Sequence, residues 1–529
     1  MVDTFSGLLT SLAQQRPDQA AVVDPSSGDA MTFAELDDRS RRLAAGLAAT
    51  GVAHGDRIAV WLPNIPEWLV LQFAAARLGA VVVAVNTRFR AHELSEILRV
   101  SDASCLVMPS GFRHIDFAGI LAQTRERVDL SALSTILVGA AGDGPERALA
   151  WELLLAHPPT DRDDGRPGDV SNIFATSGST GTPKLAMHRQ TSIVTHARHD
   201  VTAFDMHPGE VSLCALPLCG VFGFNAAMSA LASGSTTLLP DAFEPAAAAQ
   251  AMARYGVTHW HAADNMIRGV LAAARESGLR LDTWREGAFA SFSGGGPELV
   301  GEVQRATGAR ITGVYGASEL FALLSRWPPE WDAEARSVAG GFPVAADIVV
   351  RAVDSETGEV RAHGEPGELH FRGYCVAAGY FGNDEATAAV FTDDGWYRSG
   401  DLGSTRADGG FVYLSRLKDS LRLRGFLTDP AEIEAHLQTH PAVTLAQVVG
   451  APDPDGGDIA VAFVELTPEA ATDPGELVEH CRRDLANYKV PAAVHLVTDW
   501  PTVDGTNGVK IQRMRLRDRA AELMKAPAD

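Results

Sequence analysis

The run Thr176-Ser177-Gly178-Ser179-Thr180-Gly181-Thr182-Pro183-Lys184 gathers small and hydroxylated residues ahead of a single lysine, directly after the apolar stretch Asn172 to Ala175. Side chains this small leave backbone N–H groups and hydroxyls free to wrap an oxyanion, and the lysine adds a positive charge. A Walker A loop needs Gly-x-x-x-x-Gly-Lys-[Ser/Thr]. Here the lysine follows Thr-Pro, which disfavours a P-loop NTPase.

Four more stretches carry candidate chemistry. They are Ser293-Gly294-Gly295-Gly296-Pro297, Gly313-Val314-Tyr315-Gly316-Ala317-Ser318-Glu319, Tyr397-Arg398-Ser399-Gly400-Asp401 and Ser415-Arg416-Leu417-Lys418-Asp419. A fifth, Gly508-Val509-Lys510-Ile511-Gln512, lies near the C-terminal end. Taken singly each has an ordinary explanation: Tyr315 as core, Glu319 as a solvated helix residue, Asp401 as a turn acid. Ser318 follows Gly316-Ala317 as in a nucleophile elbow, but position 320 is Leu instead of Gly, which disfavours a hydrolase.

Taken in order, these motifs resemble those of the adenylate-forming superfamily: acyl-CoA synthetases, peptide-synthetase adenylation domains and luciferases. The resemblance covers nearly the whole chain. It implies that Thr176 to Thr182 and Lys184 hold phosphate, that Gly294, Gly295 and Gly296 line the adenine pocket, and that Tyr315 stacks on adenine beside Gly316. It further implies that Ser318 contacts phosphate, Glu319 helps hold Mg²⁺, Asp401 grips the ribose hydroxyls with Arg416 nearby, Lys418 is a hinge pivot and Lys510 is the adenylation lysine. Gly425 matches the position beside the pantetheine channel, which favours CoA or a carrier-protein thiol as acceptor.

The assignments make independent physical sense. Attack of a carboxylate on the α-phosphate of ATP brings two anions together, so the site needs cations and donors aimed at the transition state. Lys510 can bridge the carboxylate and an α-phosphate oxygen, and Mg²⁺ at Glu319 would neutralise phosphate charge. Asp401 can accept both ribose hydroxyls. A non-catalytic nucleotide-binding scaffold is a rival reading, and retention of Lys184, Glu319, Asp401 and Lys510 together argues against it.

The substrate pocket departs from its relatives. In Leu216-Pro217-Leu218-Cys219-Gly220-Val221-Phe222-Gly223 the position where many relatives carry histidine is Gly220. With Val221, Phe222, Ser293, Val314 and Gly316 it is assigned to the pocket. In Val257 to Met266 the positions where relatives carry an aromatic followed by Pro-Thr look like His261, Asp264 and Asn265. A polar trio in an apolar pocket costs free energy unless paired, so these residues either satisfy each other or read a polar group on the substrate. The expected substrate is an aryl or arylacrylic acid bearing an amino or hydroxyl group. A chemically different alternative is a diazotase that adenylates nitrite and converts an aryl amine to a diazo group; Gly220 and the His261/Asp264 pocket are compatible with it.

The elements that position these motifs read as α/β: a large N-terminal domain of layered sheets and helices, residues 1–415, and a small, mobile α+β domain, residues 416–529. Thr32 and Glu35 have capping-box spacing ahead of Leu36, Leu43 and Leu47, with Gly51 as a stop. Ile58 to Leu62 and Ala80 to Val85 read as buried strands around a helix from Trp68 to Leu78. The polar stretch 157–170 reads as a surface loop. Beyond it, Asp429-Pro430-Ala431-Glu432 and Asp473-Pro474-Gly475-Glu476 each supply an N-cap, an N1 proline and an N3 acid, with strand-like runs Leu445 to Val449 and Ile459 to Leu466 between them.

Over 529 residues, 45 Lys plus Arg against 67 Asp plus Glu give a net charge of −22, which excludes a nucleic-acid footprint. With 46 % hydrophobic and 21 % charged residues the chain can bury a large core. Five cysteines without metal or disulfide spacing, no secretory signal at the N-terminus and no apolar run of about 18 residues predict a cytoplasmic protein without a membrane span. Only five of the 45 basic residues are lysine, and three of those, Lys184, Lys418 and Lys510, fall on the phosphate, hinge and catalytic motifs. A broad guanidinium is a poor substitute where one compact ammonium must enter a crowded phosphate site, so chemistry is the simplest reason these three are lysines.

Overall fold

The capping box at Thr32 and Glu35 forms as the spacing predicts. The Glu35 amide donates to Thr32 Oγ1 at 3.2 Å and the Thr32 amide to Glu35 Oε2 at 2.8 Å, starting the helix Phe33–Ala49. Its apolar stripe, Leu36, Leu43 and Leu47, is fully buried, and Gly51 takes φ +99° just past the end. In this computed structural model the described residues are 3–139, 145, 148–176, 183–291, 296–417, 421–423, 426–428, 430–452, 458–485, 487–505 and 508–524.

The chain folds into two compact units, Met1–Val349 with Phe371–Tyr397, and Val350–His370 with Arg398–Asp529. Two stretches ahead of residue 416 therefore associate with the C-terminal body.

The first unit is built on two large sheets. One has the strand order Leu149–Ala150, Ser134–Val138, Cys105–Pro109, Arg57–Val60, Val81–Ala84, Val170–Thr176 and Lys184–Arg189. Its neighbours are parallel until the last pair, an antiparallel hairpin. Alternation along Arg57–Val60 and into Trp61 sends Ile58 and Val60 into one apolar cluster and Ala59 and Trp61 into another. A parallel sheet buried on both faces has this signature, and it explains why Ile58 to Leu62 is an unbroken apolar run. The helix Pro66–Leu78 connects two of its strands; every residue from Trp68 to Leu78 is buried.

The second sheet runs Ala262–Ala263, Glu286–Ala290, His259–Trp260, Val211–Leu213, Thr236–Leu238, Ala20–Val23 and Ala30–Thr32, with Arg310–Gly313 on the far side of Glu286–Ala290. Trp68 and Phe224, at 5.3 Å between ring centroids, and Phe5 and Phe73, at 5.9 Å, pack in the larger apolar cluster, which takes residues from both sheets.

In the second unit the hairpin Tyr397–Thr405 with Phe411–Arg416 starts at the very end of the first unit's last segment. A five-stranded sheet follows, centred on Val443–Pro452 and Asp458–Leu466, with helices Pro430–Gln438 and Pro474–Asp484. The Asp473 cap forms, its carboxylate accepting the Gly475 amide at 2.7 Å with Pro474 at the first helical position. Asp429 lies outside the described residues. No helix among the described residues is long and apolar enough to cross a membrane.

Candidate active site

The strand Val170–Thr176 ends where the phosphate-loop motif begins, and the antiparallel return Lys184–Arg189 sets Lys184 opposite Thr176. Ser177 to Thr182 lie outside the described residues. A second segment runs alongside the return strand. The Ala378 amide donates to Met187 O at 2.8 Å, the Met187 amide to Gly379 O at 3.0 Å and the Phe381 amide to Leu185 O at 2.8 Å. This pairing pins Tyr380 beside Lys184, whose Nζ sits 5.1 Å from the ring centroid. The Tyr380 hydroxyl donates to Glu319 Oε1 at 2.7 Å, and the Ala377 amide donates to Glu319 O at 2.8 Å. Glu319 is buried, 8 % exposed.

Glu319 stands on the short 3₁₀ turn Ser318–Leu320, after which the backbone is unusual. Phe321, Ala322 and Leu323 take φ +62°, +53° and +40° in succession. Left-handed backbone costs a non-glycine residue about 1–2 kcal/mol and persists only when its surroundings over-determine it. Here they do. The Leu320 and Ala322 amides donate to Ala317 O at 3.1 and 3.2 Å, and the Leu324 amide to Tyr315 O at 3.1 Å. Buried side chains hold the outward carbonyls: His188 Nε2 donates to Ser318 O at 2.7 Å, Asn225 Nδ2 to Phe321 O at 3.1 Å and His196 Nε2 to Ala322 O at 3.0 Å. The turn folds back so tightly that a Cβ on Gly316 would lie 2.7 Å from Ala322 Cα. Tyr315, 5 % exposed, stacks one ring face on Phe371 at 5.1 Å and 14°. Val314 is half-buried, and Gly296 starts the helix Gly296–Thr307; Ser293, Gly294 and Gly295 lie outside the described residues.

In the second unit Asp401 and Arg416 are register partners across the hairpin, and Arg416 Nη1 lies 3.0 Å from Asp401 Oδ1. Asp401 is buried and Arg416 exposed. A carboxylate is an acceptor with two oxygens, suited to taking hydroxyl donors. Lys510 is on the strand Gly508–Ile511, opposite Val503. Lys418 and Gly425 lie outside the described residues.

Gly220 caps the buried helix Val221–Ser233, and its amide donates to Pro217 O at 3.0 Å; Val221 and Phe222 are buried. His261 joins the short strands His259–Trp260 and Ala262–Ala263. Its Nδ1 accepts the Ala288 amide at 3.0 Å and its ring meets Phe204 edge-on at 4.7 Å. Burial pushes the imidazole down to about 3, so it is neutral, and Nε2 has no partner among the described residues. Asp264 opens the helix Asp264–Ser277, fully buried, its Oδ1 accepting the Asn265 amide at 2.9 Å. The Asn265 side chain is exposed.

Sequence reasoning missed Tyr380, His188, His196, Asn225 and Tyr374. Tyr380 is 61 residues from Glu319 and His196 is 126 from Ala322, so no spacing pattern links either pair. The available cue was slight: Tyr374 and Tyr380 flank the apolar run Cys375 to Ala378, while His188 and His196 stand among polar neighbours.

The donor set fits Mg²⁺. A single carboxylate with lone pairs to spare suits an ion that keeps most of its sites for phosphate oxygens and water. No group of three or more His, Cys, Asp or Glu side chains that could hold a metal by itself occurs among the described residues.

The first unit thus sets a lysine and a tyrosine-held buried carboxylate around one ring, and the second unit carries a separate Asp/Arg pair. The model of the AMP-binding enzyme family matches residues 9–381 and that of the AMP-binding enzyme C-terminal domain residues 432–504, so the chain belongs to the adenylate-forming superfamily. It is 30 % identical over 539 residues to the Bacillus subtilis (strain 168) protein YngI, assigned as an acyl-CoA synthetase, covering 98 % of this chain and 97 % of that one. It is likewise 30 % identical to the mitochondrial medium-chain acyl-CoA ligase of Danio rerio, covering 98 % and 88 %. Among solved structures, ATP-bound MatB from Rhodopseudomonas palustris superposes with a TM-score of 0.85 at 26 % identity, covering 98 % of this chain and all of that one.

Proposed function

We propose that the protein activates a carboxylic acid with ATP, forming an acyl-adenylate and pyrophosphate, and then passes the acyl group to the thiol of CoA. The observation that carries the reading is the triad in which Tyr380 donates to Glu319 and receives the Lys184 ammonium on its ring. A fixed carboxylate and a fixed cation on one aromatic scaffold are what a triphosphate with its metal requires.

In this reading Mg²⁺, when bound, neutralises charge on the phosphates. Glu319 orients its share of that site, Lys184 holds phosphate oxygens with the hydroxyls of Thr176, Ser177, Ser179, Thr180 and Thr182, and Ser318 adds a further donor. Asp401 accepts from the ribose hydroxyls, with the Arg416 guanidinium beside it. Lys510 bridges the attacking carboxylate and an α-phosphate oxygen, so that the two anions meet across a cation. Pivoting at Lys418 then exchanges Lys510 for the thiol-accepting face that includes Gly425.

The acid is an aryl or arylacrylic acid bearing an amino or hydroxyl group. Two observations support this. Gly220 presents no side chain, and His261 is buried and neutral with Nε2 unpartnered among the described residues, so it can pair with a substituent on an otherwise apolar ring.

The test is a substrate panel with ATP and Mg²⁺, reading AMP release with and without CoA. The expected result is AMP release coupled to thioester formation, with amino- or hydroxyaryl acids exceeding their unsubstituted analogues by about 10-fold in kcat/KM. Equal values for the two sets overturn the aryl assignment. A diazonium product with AMP from nitrite and aminoaryl acids, without thioester, overturns the CoA assignment.

A further inference from the structure

A buried chain of hydrogen bonds ends on the strained turn beside Glu319. His199 Nδ1 lies 2.8 Å from the Tyr374 hydroxyl, that hydroxyl lies 2.9 Å from His196 Nδ1, and His196 Nε2 lies 3.0 Å from Ala322 O. The last contact fixes every proton in the chain. A carbonyl can only accept, so His196 carries its proton on Nε2. Burial pushes this imidazole down to about 3, so it is neutral and Nδ1 is an acceptor. The Tyr374 hydroxyl therefore donates to His196, and having spent its proton it accepts from His199 Nδ1. His199 is half-buried, at the outer end of the chain, whereas His196 is wholly buried. Asp200, also wholly buried, lies 3.8 Å from His196 Nε2, beyond hydrogen-bond reach, and burial raises its carboxyl well above the usual range, so it does not compete for the proton.

The carbonyl so held belongs to the middle of the left-handed stretch Phe321 to Leu323, three residues after Glu319. Removing the donor at its central carbonyl takes away one of the bonds that hold a backbone region L residues avoid, and relaxation there would shift the peptides next to the carboxylate.

We propose that His196, with its tautomer locked by Tyr374 and His199, is a positioning residue for Glu319: it sets where the Mg²⁺-directed carboxylate points by fixing the Ala322 carbonyl. The inference rests on Glu319 serving the Mg²⁺·ATP site.

Three variants of the full chain test it. His196→Gln keeps an N–H where Nε2 stood, His196→Leu removes the donor, and Tyr374→Phe keeps the ring and removes the tautomer lock. The first readout is the Mg²⁺-dependent part of the thermal shift produced by ATP, which needs no acid. The second is the Mg²⁺ concentration for half-maximal AMP release. Expected for His196→Leu is a Mg²⁺ requirement raised about 10-fold or more and a lowered kcat, with the acid KM within about 2-fold of wild type. His196→Gln is expected to stay within about 3-fold of wild type and Tyr374→Phe to fall between the two.

An unchanged Mg²⁺ requirement in folded His196→Leu, or equal loss in the Gln and Leu variants, overturns the proposal. If His196→Leu does not fold, Tyr374→Phe decides alone, and an unchanged Mg²⁺ requirement in it is the refuting result. Wild type that releases no AMP with any acid sinks the functional reading, while the Mg²⁺-dependent thermal shift still decides the positioning role.

Discussion

The hydroxyl of Tyr380 donates to Glu319 Oε1 at 2.7 Å, joining two residues 61 positions apart. The bond restrains a buried carboxylate that would otherwise be free to rotate about three side-chain torsions, and the same ring stations the Lys184 ammonium. Hydrogen bonds to charged groups are worth about 1.5–3 kcal/mol.

Tyr380→Phe keeps the ring and its contact with Lys184 while deleting the donor. We expect kcat for AMP release to fall by about 10- to 100-fold with a raised Mg²⁺ requirement and little change in melting temperature. Steady-state kinetics across a Mg²⁺ series checks this; an unaltered kcat removes Tyr380 from the account.

Gly316 has no room for a side chain, because Ala322 Cα would lie 2.7 Å from its Cβ. That neighbour is backbone and already strained, so it cannot yield cheaply. Gly316→Ala should destabilise the protein by about 1–3 kcal/mol and raise the ATP KM, since position 316 itself lies between Tyr315 and Glu319. Urea midpoints together with ATP titrations measure both effects, and wild-type values for both contradict the steric argument.

Four buried groups give stability a signed pH dependence. Burial holds His188, His196 and His261 down to about 4, 3 and 3, so all three are neutral in the fold at pH 5, while in the unfolded chain all three are protonated below about 6.5. Asp200 runs the other way. Burial raises its carboxyl well above the usual range in the fold, whereas it ionises in the unfolded chain above about 4. Around pH 5 each of the three imidazoles gains a proton on unfolding while Asp200 alone releases one, so protons are gained overall. Stability should fall as pH falls from about 6.5 to 4.5, because unfolding takes up more protons at the three imidazoles than Asp200 releases. Urea midpoints at pH 6.5, 5.5 and 5.0 test the sign, and a midpoint that rises as the pH is lowered contradicts it.

The parts of the molecule legible in the sequence are those set by local rules. The Thr32 to Glu35 cap, the Asp473-Pro474 start and the strands flanking Trp68 to Leu78 depend on residues a few positions apart, and they form where the spacing placed them. The strand ahead of the phosphate motif belongs with them, whereas the return strand Lys184–Arg189 that sets Lys184 opposite Thr176 was not read from the sequence. What holds the site together is not local. Tyr380 reaches Glu319, and His196 reaches Ala322, only because the fold brings distant segments together, and three successive left-handed residues of types Phe, Ala and Leu carry no propensity signal at all. His261 shows the same limit from the other side: one of its nitrogens serves the backbone of Ala288, a partner that no pattern in Val257 to Met266 could have named.

The two half-reactions should separate by mutation. If the second unit carries Lys510 for adenylation and must pivot at Lys418 before thiol transfer, then a residue that stiffens the hinge and one that removes the ammonium have different effects. Lys510→Ala deletes the cation between carboxylate and phosphate and should lower adenylation by about 100-fold or more. It should leave thioester formation from supplied acyl-adenylate within about 3-fold of wild type, because that step does not join two anions. Lys418→Pro fixes φ at the pivot and should do the reverse, sparing adenylation and crippling transfer to CoA. Pyrophosphate release and thioester formation from purified adenylate, measured on both variants, give a two-by-two result. Opposite patterns support a pivot between two working arrangements, and equal loss of both half-reactions in Lys418→Pro contradicts it.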